Sequence, residues 1–73
     1  MRSARAGQRM RRVRTERGLV IAAIAARAGC SPGLIVSVEK HGHVPTPGVR
    51  RRLAAAIGVP VGTIWPEAEV AMT

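Results

Sequence analysis

Few residues of this chain are of kinds that do covalent chemistry. It has one cysteine, Cys30, two histidines in the run His41-Gly42-His43, four glutamates and no aspartate. Cys30 has no neighbouring base or second thiol to activate it, and a single thiol cannot form an internal disulfide. It reads as a small apolar side chain. Two histidines in a glycine loop, with no acid or thiol nearby, fall short of a metal site. No carboxylate pair accompanies a histidine for acid–base work, and no glycine loop has the phosphate-cradling pattern. The inventory therefore excludes catalysis, and no metal or cofactor is expected.

What the chain holds in quantity is arginine. Eleven arginines and Lys40 stand against four glutamates, a net charge of +8. The guanidinium fork matches phosphate geometry, so a polyanionic partner is expected. Seven of the arginines lie in the first seventeen residues (Arg2, Arg5, Arg9, Arg11, Arg12, Arg14, Arg17) against Glu16 alone. The others are Arg27 and the triplet Arg50-Arg51-Arg52. A plainer reading stands beside each group: a basic segment can merely solubilise, and a triplet can merely cover the solvent side of a helix.

The elements that must position these cations are short. At 73 residues the chain forms one domain, with no room for a separate ligand-sensing module. With 47% hydrophobic residues it should fold, yet one Trp and no Phe or Tyr leave an aliphatic, small core. Dimerisation or a bound partner could supply part of its stability. Residues 1–7 lack apolar periodicity and read as a flexible arm. A first helix follows over residues 8–17, burying Met10 and Val13 and ended by Gly18. A second spans residues 20–28 with Ile21 and Ile24 inward and Gly29 as its stop. Ser31-Pro32 opens a third through Lys40, with Ile35 and Val38 inward. Residues 41–46 form a loop. A fourth helix covers residues 47–57, burying Val49, Leu53 and Ile57 before Gly58, and a last turn covers residues 61–65 with Val61, Ile64 and Trp65 as a cap on the core. Residues 67–73 form an acidic tail. No strand signal is present: the reading is all-α, four to five short helices, over residues 8–66.

The basic start followed by apolar residues imitates a secretion signal, and Ala28-Gly29-Cys30 loosely suggests a lipoprotein cleavage site. The uncharged stretch at residues 18–26 is only nine residues long and is closed by Arg27. No segment approaches the roughly 20 apolar residues of a membrane span, and Met10 and Val13 alone make a poor membrane-surface helix. The expected location is the cytoplasm, on the nucleoid.

The residues with specific spacing are Arg14, Glu16-Arg17-Gly18-Leu19, Ala25, Arg27-Ala28-Gly29, Ser31, Ile35, Glu39-Lys40, Pro45-Thr46 and Leu53-Ala54-Ala55-Ala56-Ile57-Gly58-Val59. In this order, over residues 10–65, the chain resembles the Xre or λ-repressor-like (Cro-type) helix-turn-helix family. The resemblance implies a double-stranded DNA-binding transcription regulator, commonly a repressor and a homodimer. It implies that the second helix crosses the phosphate backbone and the third enters the major groove. It also implies that Arg14 and Glu39 form a partly buried structural ion pair.

The resemblance places Pro32, Gly33, Val36 and Ser37 at positions usually filled by polar, base-reading side chains. Proline and glycine have no side-chain donors, Val36 suits only a thymine methyl, and Ser37 is an unselective short hydroxyl. Val20 and Ile21 stand where the family usually has a cap and a phosphate clamp. Two accounts fit these departures. In one, affinity comes from phosphate contacts by Arg2, Arg5, Arg9, Arg27, Lys40, Arg50, Arg51 and Arg52, with Ser31 at the helix N-terminus, and sequence is read by shape. In the other, Val20, Ile21, Leu34 and Val36 form a protein-binding face, as in an antitoxin-like or regulator-binding partner. The charge density favours the first.

Overall fold

The computed structural model describes residues 2–66, which form five helices: α1 (Ala4–Glu16), α2 (Ile21–Ala28), α3 (Pro32–His41), α4 (Pro47–Ile57) and α5 (Val61–Ile64). The described residues contain no strand, only an isolated antiparallel bridge between Arg2 and His43. The expected all-α class holds. The acidic tail expected at residues 67–73 lies outside the described residues.

The punctuation residues act as their chemistry dictates. Ser31 is extended and its hydroxyl accepts from the Leu34 amide, with Pro32 in the first turn of α3 where no amide is needed. Gly29 ends α2 at φ 68°, a left-handed conformation that costs glycine little and other residues more, which lets the chain turn into α3 within three residues. The fourth helix has the bounds its sequence predicts.

The first helix does not. Residues 4–7, expected in the arm, are its first turn, capped by Ser3, whose hydroxyl accepts from the Ala6 amide. Ahead of it, the Ser3 amide donates to the Gly42 carbonyl at 2.6 Å and Arg2 Nη1 to the His41 carbonyl at 2.6 Å. Residues 2–7 are thus pinned to the end of α3. The cause is Ala6 and Gly7, both buried, whose smallness lets α1 lie against α3. A methyl group at Gly7 would meet the Val38 carbonyl oxygen and stand 3.2 Å from that of Glu39. An exposed mid-helix Gly→Ala change gains up to about 1 kcal/mol. At Gly7 the sign reverses: Gly7→Ala is expected to cost about 3 kcal/mol, the upper end of overpacking. Thermal melts check this, and a raised Tm would mean that α1 and α3 do not meet there.

The core is aliphatic, as composition requires. Met10, Ile24, Ile35, Val38, Leu53 and Ile64 are fully buried, joined by Ile57, Trp65, Val44 and the alanines Ala6, Ala25, Ala28 and Ala56. Val13, Ile21 and Val49 pack at its edge, while Val61, expected inside, is 37% exposed. Trp65 is buried, with no acceptor for its Nε1–H among the described residues. It belongs to the core and not to a stacking surface. Cys30 is half-buried against the same cluster. Helix α1 packs on α3 and α5, α2 on α3 and α4, and α4 on α5.

Candidate nucleic-acid interface

Helices α2 and α3 are joined by residues 29–31, and the chain turns through 116° between them. Two helices crossing at roughly 90–120° through a short turn that holds glycine make a helix-turn-helix unit. Burial of Ile35 and Val38 against α1 and α2 fixes which side of α3 faces out. Pro32, Gly33, Val36, Ser37 and Lys40 recur at helical spacing on the other side. Pro32, Gly33 and Lys40 are exposed, and Val36 and Ser37 half-exposed. Ser31 uses a lone pair for its cap, which leaves its hydroxyl proton free to donate.

At the head of α2, Val20 takes the N-cap position without any side-chain bond and is 64% exposed. Ile21 follows it, and beside it lies a cleft of about 110 Å³ lined by Arg11, Arg14, Ile21, Val36, Glu39 and Lys40. Three helices meet here, two cations border the cleft, and the Arg14–Glu39 pair lies in its wall. Arg14 Nε donates to Glu39 Oε2 at 2.8 Å and Nη2 to Oε1 at 3.0 Å. Its Nη1 donates to the Leu19 carbonyl at 2.9 Å, tying the α1–α2 link to α3. The two side chains are only 13% and 5% exposed, so this bidentate pair is largely shielded from water. Its hydrogen bonds to Glu39 hold the Arg14 pKa above the usual value against the opposing effect of burial.

The structure divides the remaining arginines into two kinds. Arg2 donates to the His41 carbonyl at the end of α3, Arg27 to Ala56 in the last turn of α4 at 3.4 Å, and Arg9 Nε to Ile64, the last residue of α5, at 3.0 Å. Arg17 donates to the Ile57 and Gly58 carbonyls at 3.5 and 3.3 Å. These guanidiniums meet the unsatisfied carbonyls and the partial negative charge of helix C-termini. Arg12 pairs loosely with Glu16 at 3.6 Å. Among the described residues the side chains of Arg5, Arg11, Lys40, Arg50, Arg51 and Arg52 make no hydrogen bond or ion pair. Three cations expected on phosphate, Arg2, Arg9 and Arg27, are therefore already engaged within the fold. Arg11, which the sequence analysis did not single out, stands at the cleft. The only signal for it was its place three residues before Arg14, one helical turn along the same face. The triplet forms the fourth to sixth residues of α4, which packs on α2, with Arg51 and Arg52 exposed and Arg50 half-exposed. His41 and His43 are exposed, and the described residues contain no group able to hold a metal ion.

This arrangement defines a class, and the chain belongs to the helix-turn-helix domain family, whose model matches residues 5–64. The Xre-like resemblance holds, and the fold is that of helix-turn-helix DNA-binding transcription regulators. The chain is similar to the restriction-modification controller protein C.AhdI from Aeromonas hydrophila, with a TM-score of 0.79 at 24% identity over 85% of this chain and 94% of that one, a likeness of fold. It is also similar to the N-terminal DNA-binding domain of SinR from Bacillus subtilis (TM-score 0.76, 25% identity, 85% and 91% covered). A structure of SinR, a master regulator for biofilm formation, in complex with DNA gives a TM-score of 0.73 at 27% identity over 81% of this chain and 95% of that one. No curated protein sequence matches it. Among the described residues no single helix is long and apolar enough to cross a membrane.

Proposed function

We propose that this protein is a sequence-dependent, double-stranded DNA-binding transcription regulator of bacterial or phage type, acting in the cytoplasm on the nucleoid. It represses by occluding a promoter, as a homodimer on two half-sites one helical turn apart, roughly 34 Å. The observation that carries this reading is the α2–turn–α3 unit, turned through 116°, with Arg11 and Lys40, whose side chains have no partner among the described residues, at its outward face. Helix α3 enters the major groove, Ser31 holds a phosphate, and Pro32, Gly33, Val36 and Ser37 face the base edges. Binding energy comes chiefly from arginine and lysine on phosphates. Arg5, Arg11, Lys40, Arg50, Arg51 and Arg52 lead, and Arg2, Arg9 and Arg27 contribute with whatever N–H groups their caps leave. The similarity to SinR, solved on DNA, supports the same reading.

The exposed Val20 favours a second reading, in which the head of α2 and the cleft bind a protein partner.

Selection of bound sequences from a random duplex pool at physiological salt separates the two. A regulator enriches a motif; a protein-binding module retains no duplex. Against the enriched pool, Arg51→Ala should weaken binding to every sequence about equally and reduce the logarithmic salt slope by about 1, whereas Ser37→Ala should change the preference between sequences. The reverse pattern would refute this division of labour.

A further inference from the structure

On the outward face of α3, Pro32, Gly33 and Val36 offer no hydrogen-bonding side chain, which leaves that role to Ser37 and Lys40. Beside it the cleft sets Val36 with Ile21, between Arg11 and Lys40, and Val20 stands open to solvent at the head of the same helix as Ile21. An apolar pair bordered by cations whose side chains have no partner among the described residues suits a target that is polyanionic at its edges and apolar at its centre. Duplex DNA meets that description at one kind of place. In the major groove each base pair shows donors and acceptors, and thymine alone among the four ordinary bases adds a methyl group at C5. Proline, glycine and valine cannot answer the donors and acceptors, and valine matches the methyl. The flanking phosphates meet the cations.

We propose that α3 reads C5-methyl groups: Val36, backed by Ile21, packs on the methyl of a pyrimidine in the major groove. This rests on the DNA-binding reading and names the chemical group recognised. Thymine and 5-methylcytosine carry that group at the same place. No side chain at residues 32, 33 or 36 forms hydrogen bonds that would separate A·T from G·5-methylcytosine. Cytosine methylation therefore strengthens binding where an ordinary cytosine would be passed over.

The test uses the full chain and one mixed-sequence duplex in three versions: with thymine, with uracil in place of every thymine, and with uracil together with 5-methylcytosine in place of every cytosine. The thymine duplex should bind at least about fourfold more tightly than the methyl-free uracil duplex, the factor for one methyl removed from water. Adding 5-methylcytosine should restore about the same factor. A gain confined to one base overturns the proposal, because a group other than the shared methyl would then be read. Val36→Ala should bring the ratios close to one with the salt dependence unchanged, and circular dichroism confirms that the variant folds. Equal binding of all three duplexes by the wild-type chain overturns the proposal. So does a preference that survives in Val36→Ala, because duplex shape would then be its source. If none of the three binds, the DNA-binding reading falls and this one with it, a result distinct from binding without discrimination.

Discussion

Replacing Glu39 with alanine is expected to destabilise the protein by about 3–5 kcal/mol, the range for removing one partner of a buried ion pair. The carboxylate takes two N–H groups of Arg14 in a pair whose side chains are 13% and 5% exposed, so its loss leaves a guanidinium shielded from water with only the Leu19 carbonyl. A domain of this size is stabilised by about 0.05–0.15 kcal/mol per residue, so the loss takes a large part of the total. At about 4–8 °C per kcal/mol the melting point falls by tens of degrees. Glu39→Gln, which keeps one acceptor of the same shape, should fall between wild type and Glu39→Ala. A drop of under about 1 kcal/mol, the worth of an exposed pair, would show that water reaches Arg14 in solution. Because the pair joins α1 to the outward helix of the α2–α3 unit, partly folded Glu39→Ala should also lose duplex binding in proportion to its unfolded fraction.

Affinity for duplex DNA should fall roughly a thousandfold between 50 and 200 mM salt if about six phosphates are neutralised. The six cations without an internal bond among the described residues set that figure, whereas the twelve of the composition would predict a far steeper response. Titrations by fluorescence anisotropy at several salt concentrations give the slope directly. A flat response removes the DNA reading altogether. A slope near that for ten contacts would mean that Arg2, Arg9, Arg17 and Arg27 leave their helix ends for the phosphates.

Helix ends marked by side-chain chemistry were legible in the sequence: Ser31-Pro32, Gly29 and Gly58 bound their helices as read, and Ile24, Ile35, Val38, Leu53 and Ile64 lie inside as their spacing required. The Arg14–Glu39 pair followed from the family resemblance. The start of α1 was not legible, because Ala6 and Gly7 are buried for their smallness, and small residues carry no periodic signal. Val61 misled for a related reason, since in a four-residue helix the spacing of apolar residues does not fix a face. The division of the arginines could not be read either. A guanidinium that caps a helix and one without a partner among the described residues are the same letter, and only the tertiary placement of helix C-termini tells Arg27 from Arg51.

Trp65, sealed in the core where α5 meets α1 and α4, is the chain's one aromatic side chain. The molecule therefore carries a single native fluorophore that lines neither the cleft nor the outward face of α3. Its emission should shift to the red when the core opens and should stay unchanged when a duplex docks on α3. One optical channel thus separates a variant that has lost its fold from one that has lost only its grip on DNA.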